Sequence, residues 1–101
     1  MKKLSTSIII PTYKRLSLAL ALATKISSYN PSCEIIIVDQ NDKKKQSLEI
    51  IRGKIKIVTV NRISLSYARN IGTYYAQGNI VVFLDDDVEV VKKTIIKHLI
   101  A

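Results

Sequence analysis

The sequence predicts an α/β fold: a parallel sheet of about four strands with helices on both faces. Two observations predict it. Short continuous apolar runs, rich in isoleucine and valine, alternate with stretches of helical period; strands that are apolar on both faces are those a parallel sheet buries under helices. The polar residues cluster behind the apolar runs, at what would be strand C-termini. At 101 residues and 48% apolar content, with two prolines and three glycines, the chain reads as one packed domain spanning residues 1–101. Folding a chain of this length buries roughly two-thirds of its extended surface.

The elements follow in order. Thr6–Ile10 is β-branched and apolar and predicts a strand that Pro11 ends, because proline cannot donate to a ladder. Leu16–Ser27, with Leu18, Leu22 and Ile26 spaced by four, predicts a helix broken near Pro31. Glu34–Val38 predicts a second strand, Ser47–Ile51 a short helix ending at Gly53, and Lys56–Val60 a third strand. Leu65–Gln77 predicts a long helix capped by Ser64, with Gly78 as a left-handed residue after its end. Ala68, Gly72 and Ala76 lie four apart on that helix and form a smooth strip suited to close packing on the sheet. Ile80–Leu84 predicts a fourth strand and Val90–Ile100 a last helix.

Charge and cysteine content narrow the setting. The formal net charge of +8 favours an anionic partner, such as a nucleotide, a nucleic acid or an anionic lipid head group. Lys43-Lys44-Lys45 reads as a solvated loop, and no strand interleaves aromatic with basic residues, so nucleic acid is not the expected partner. The lone Cys33 excludes an internal disulfide, suits a reducing cytoplasm, and reads as a small buried thiol rather than a nucleophile. No apolar window reaches the roughly 18–20 residues of a membrane span. The stripe Val91, Ile95, Leu99, flanked by Lys92, Lys93 and Lys97, allows core packing, partner packing or peripheral contact with a membrane surface.

Three polar segments, Pro11-Thr12-Tyr13-Lys14-Arg15, Asp39-Gln40-Asn41-Asp42 and Asp85-Asp86-Asp87, follow the first, second and fourth strands. In a parallel sheet they converge on one edge, and if the fourth strand lies beside the first, their junction is the switch point where open α/β sheets bind ligands. Strand alternation puts Asp85 and Asp87 on one side and Asp86 on the other. Two carboxylates on one side suit a hard divalent cation such as Mn2+ or Mg2+. A solvated turn, an acidic helix cap and a calcium site are the competing readings. No GxxxxGK[ST] or GxGxxG loop is present to cradle phosphates, so a metal-dependent nucleotide site is the remaining route. The acid layout does not fit a phosphorylation receiver, whose acids follow the first and third strands.

Together, SIIIPTYKR (Ser7–Arg15), EIIIVDQND (Glu34–Asp42) and SYARNIGTYYAQGNIVVFLDDDVEV (Ser66–Val90) resemble the nucleotide-sugar-binding half of family 2 glycosyltransferases, which have the Rossmann-like GT-A fold. The most specific part is ARNxGxxxAxGxxxxFLDDD with PTYKR upstream, the triplet standing for the family's DXD motif. The resemblance implies a nucleotide-diphospho-sugar ligand, commonly a UDP-sugar, and Mn2+ or Mg2+ as cofactor. Pro11, Thr12 and Tyr13 would line the base and ribose pocket, Asp39 would hydrogen-bond the base, and Arg69 would reach the nucleotide from the side. Asp87 would ligate the metal, while Asp85 and Asp86 would contact ribose or help hold the ion. Asn70, Gly72, Ala76 and Gly78 would set the helix geometry. Without the family pattern, Arg69 would read as a surface helix charge and Tyr13 as a ring at the core edge.

The family continues past the triplet into an acceptor-binding half that supplies the catalytic base. Glu89 is the one acid after Asp87 and lies too close to the metal motif for that role, so no catalytic residue is identifiable. The domain is expected to be truncated relative to the full family domain, transferring a sugar only when completed by further chain or a partner. Its fourth strand would then be an open edge, suited to a homo-oligomer or partner chain. The alternative reading is a non-catalytic interaction or oligomerisation domain with a degenerate site. The expected location is the cytoplasm, including the inner face of the membrane.

Overall fold

The computed structural model describes residues 5–88. Its elements run β1 (Thr6–Tyr13), α1 (Leu16–Tyr29), β2 (Glu34–Gln40), β3 (Ser47–Arg52), β4 (Ile55–Val60), α2 (Leu65–Tyr75) and β5 (Ile80–Phe83). They build one five-stranded sheet in the order β3-β4-β2-β1-β5. All pairings are parallel except that of β3 with β4. The expected helix at Val90–Ile100 lies outside the described residues.

Alternation along the strands makes two cores from one sheet. Ile8 and Ile10 of β1, Ile35 and Ile37 of β2, and Ile55 and Ile57 of β4 pack with Ala19, Leu22, Ala23 and Ile26 of α1. Ile9, Ile36, Val38, Val58 and Val60 point the other way and meet Ala68, with Tyr67 and Ile71 alongside. Each fully buried isoleucine contributes on the order of 2 kcal/mol through removal of apolar surface from water. This is why the isoleucine runs are unbroken: both faces of the central strands are interior.

Five sequence expectations change. Ser47–Arg52 is a strand, not a helix; it forms an antiparallel hairpin with β4, and Gly53 supplies the turn at φ 55°. All six of its residues are exposed, so burial left no period to read. Leu18 is 43% exposed, and the buried stripe of α1 is Ala19, Leu22, Ala23 and Ile26, the i, i+3, i+4, i+7 pattern of a helix on a sheet. The first strand does not stop at Pro11 but continues to Tyr13 in register with β2, Pro11 opposite Val38. Ile9 faces β5, since its carbonyl accepts from the Leu84 amide at 3.0 Å. Residue 11 therefore faces the same way, and the missing N–H takes nothing from the β1–β2 ladder.

The fourth and fifth changes concern α2. It ends at Tyr75, two residues before the expected end. Gly78 is not in the left-handed region, which Gly53 alone occupies among the described glycines. Its constraint is space: a Cβ there would fall 2.7 Å from Ser7 Oγ and 2.8 Å from the Ser7 amide nitrogen. Gly72 has the role expected of the smooth strip, since a Cβ at that position would run into the Ile9 side chain. Ser64 caps α2 as expected, its Oγ accepting from the Tyr67 amide at 3.3 Å.

Candidate nucleotide-sugar site

β1 is central, with β2 on one side and β5 on the other, so the chain reverses its direction of travel across the sheet between β1 and β5. Ligand crevices of open α/β sheets form outside the C-terminal ends of strands at such a point. Here the crevice is an open cleft of about 280 Å3 lined by Pro11, Thr12, Tyr13, Arg15, Gln40, Leu65, Asp85, Asp86 and Asp87. That size falls just below the ~300–1,000 Å3 typical of ligand pockets, so this is an open half-site rather than a chamber.

The end of β1 turns sharply into α1. Lys14 takes φ 57°, a conformation that strains a residue with a Cβ, and its Nζ stands 5.2 Å from the Tyr13 ring centroid. Arg15, which follows, returns over the strand end and reaches Asp86: Nη2 lies 2.7 Å from Oδ1 and Nε donates to Oδ2 at 3.1 Å. Thr12 Oγ1 donates to the same Oδ2 at 2.8 Å. The chain turns at the triplet, with the Val88 amide donating to the Asp85 carbonyl at 3.3 Å. Asp86 is buried, whereas Asp85 and Asp87 are exposed on the cleft.

The structure thus brings Pro11, Thr12, Tyr13, Asp85, Asp86 and Asp87 to one cleft, and does not bring Asp39 or Arg69 to its lining. Asp39 pairs in register with Thr12 across β1 and β2 and is 5% exposed. Burial pushes its carboxyl above the usual value, opposed by the positive charge of Lys44. Arg69 lies over the ring of Phe83, its Cζ 5.7 Å from the centroid, on the α2 face of β5.

Three residues of the site had no individual role in the sequence: Leu65, an apolar wall at the start of α2, and the polar pair Arg15 and Gln40. Arg15 stood in PTYKR as a basic residue without a visible partner, and its partner lies 71 positions away. Gln40 is buried and holds two elements together: Nε2 donates to the Thr12 carbonyl at 3.3 Å, and Oε1 accepts from the Ser64 amide at 2.8 Å. A buried amide at a strand end, where a satisfied network is required, was its one signal.

Among the described residues, no group of three or more His, Cys, Asp or Glu side chains is clustered for a metal. The pair Asp85 and Asp87 still fits a hard divalent cation in its chemistry. Both are exposed oxygen donors on one cleft, and the side-chain bonds of the triplet fall on Asp86.

An open, doubly wound α/β sheet with strand-end polar loops meeting at its switch point defines the class: a Rossmann-like, GT-A-type domain. A sequence profile described as Glycosyl transferase family 2 matches residues 7–100, nearly the whole chain, and the chain belongs to that family. A search among curated proteins found no match. Membership makes this a glycosyltransferase-type nucleotide-sugar-binding module. No helix among the described residues is long and apolar enough to cross a membrane.

Proposed function

We propose that the cleft between β1 and β5 binds a nucleotide diphospho-sugar, with UDP as the nucleotide, together with Mn2+ or Mg2+. The carrying observation is that the exposed carboxylates of Asp85 and Asp87 share one cleft with Thr12 and Tyr13 at the switch point. Asp87, with Asp85, would hold the cation, leaving coordination positions for phosphate oxygens. A bound divalent ion would offset the charge of the diphosphate leaving group. Tyr13, 40% exposed, offers a ring for stacking beside the ribose and base. Asp39 would accept a hydrogen bond from the base, and Arg69 would approach from the α2 face. Sugar transfer to an acceptor would take a base from further chain or a partner. The single cysteine, free and buried, supports a reducing, cytoplasmic setting.

Titration calorimetry with UDP and Mn2+ tests the reading on the parent and on Asp87→Ala. Affinity that depends on the metal and falls at least about tenfold in the variant is expected. Affinity indifferent to the metal, or none, would sink it.

A second reading is a non-catalytic interaction or oligomerisation domain. The observation favouring it is that β3 is an edge strand exposed along its length, with Leu48, Ile50 and Ile51 on the surface. Sedimentation showing a monomer at all concentrations would count against it.

A further inference from the structure

The three adjacent acids are treated very differently by the fold. Asp86 is 3% exposed, while its two neighbours are exposed. Both of its oxygens are occupied, Oδ1 by Arg15 Nη2 and Oδ2 by Arg15 Nε and Thr12 Oγ1. The two-pronged geometry fixes direction as well as distance, because a guanidinium meets a carboxylate in one plane. Both partners come from the end of β1, one of them placed by the left-handed turn at Lys14. The Leu84 amide fastens the same segment to β1 from the other side, through the Ile9 carbonyl.

We propose that Asp86 is a positioning residue rather than a ligand of nucleotide or metal. Arg15 and Thr12 fasten it beneath the 85–88 turn, and this aims Asp85 and Asp87 into the cleft. Arg15 also cancels its charge, so the cleft presents two net carboxylates instead of three. The inference rests on the nucleotide-site reading for its consequence, but the fastening itself exists without any ligand.

The physical argument sets the signs. Removing Arg15 alone leaves a buried carboxylate without its counter-charge, which must turn out to water and drag the turn with it. Removing the charge of Asp86 alone frees a guanidinium beside Asp85 and Asp87, where it competes with a cation. Removing both charges leaves no unpaired buried charge and no competing cation, and a glutamine amide nitrogen at position 15 falls where Nε now donates, so one of the two prongs is kept.

Amide hydrogen exchange at Leu84 and Val88 reads the fastening directly, in the parent, Arg15→Gln, Asp86→Asn, Arg15→Lys and the double variant R15Q/D86N. Each neutral single variant is expected to lose at least about tenfold in protection, and the double to regain most of it. Arg15→Lys, which keeps the charge and loses the fork, should fall between. Calorimetry with UDP and Mn2+ reads the consequence: Asp86→Asn weakens metal-dependent affinity and R15Q/D86N restores it, whereas Asp87→Ala abolishes metal dependence and Arg15→Gln does not rescue it. Independent, additive exchange effects would overturn the proposal. So would an Asp86→Asn variant that loses metal dependence as completely as Asp87→Ala and is not restored in the double. If the parent binds no UDP, the nucleotide reading fails, and the exchange result alone decides whether the fastening holds.

Discussion

The two ends of β2 each bury a carboxylate, and the sheet treats them in opposite ways. At the N-terminal end, Glu34 accepts from Ser7 Oγ at 2.6 Å, from the Gln77 amide at 2.8 Å and from Lys56 Nζ at 2.6 Å. Ser7 Oγ in turn accepts from the Gly78 amide at 2.9 Å, so one network ties β1, β2, β4 and the loop before β5. Burial pushes the Glu34 carboxyl up, but the bonds from Gln77, Lys56 and Ser7, with the charge of Lys56, outweigh it and hold the group below its ordinary value. At the C-terminal end, burial pushes Asp39 up, and the one opposing influence is the charge of Lys44. A closed network at one end separates a carboxylate that supports the fold from an acid at the other end whose burial is offset by a single charge.

The largest effect should come from breaking the closed end. Glu34→Ala strands Lys56, the Ser7 hydroxyl and the Gln77 amide, and is expected to lose about 3 kcal/mol in urea unfolding. Gly72→Ala also strikes the fold, since the new methyl meets Ile9 on a close-packed face; about 2 kcal/mol is expected from the same measurement. Cleft substitutions such as Asp87→Ala should leave stability within about 0.5 kcal/mol while removing metal-dependent UDP binding.

Acid titration sharpens the contrast. Glu34 is lowered from 4.5, so its contribution is fully present above pH 4.5 and is lost as pH falls through its folded value. Asp39 is raised from 3.8, so the folded state holds its proton longer and stability falls as pH rises above 3.8. Asp39→Asn is therefore expected to raise the melting temperature at pH 7 and to lose that gain at pH below 3.8, whereas Glu34→Gln should lower it at pH 7. An Asp39→Asn variant no more stable than the parent at pH 7 would show that the C-terminal end is not strained. The smallest effect concerns Cys33, whose thiol burial pushes up to about 11, helped by the charge of Glu34 and opposed by that of Lys54. Iodoacetamide at pH 8 should label it only on unfolding.

What the sequence revealed follows from what burial writes into it. The isoleucine runs announced β1, β2 and β4 because both faces of those strands are interior. The strand at Ser47–Arg52 has no such signature: Leu48 and Ile51 lie three apart as in a helix, and only pairing with β4 distinguishes the two conformations. Position along the sheet edge made Thr12, Tyr13, Asp85 and Asp87 legible as neighbours. The attachment of Asp86 to Arg15 and Thr12 was not, since the contacts lie 71 and 74 residues apart, the Arg15 one follows the left-handed turn at Lys14, and no local pattern encodes either. Gly78 was recognised as constrained, but the reason, backbone of Ser7 pressing where a Cβ would stand, belongs to the packed fold.

The proline inside β1 has a consequence for the opening itself. β5 pairs with β1 up to Phe83 opposite Ile9, and the last bond runs from the Leu84 amide to the Ile9 carbonyl. In a parallel ladder the next rung would run from the amide of residue 11 to the carbonyl of Leu84. Pro11 has no hydrogen to give, so the zipper halts there and the two backbones are free to part. The acidic turn emerges one residue later. An absent hydrogen atom at residue 11 keeps Asp85–Asp87 from being drawn into the sheet, and so holds the mouth of the cleft open before any ligand arrives.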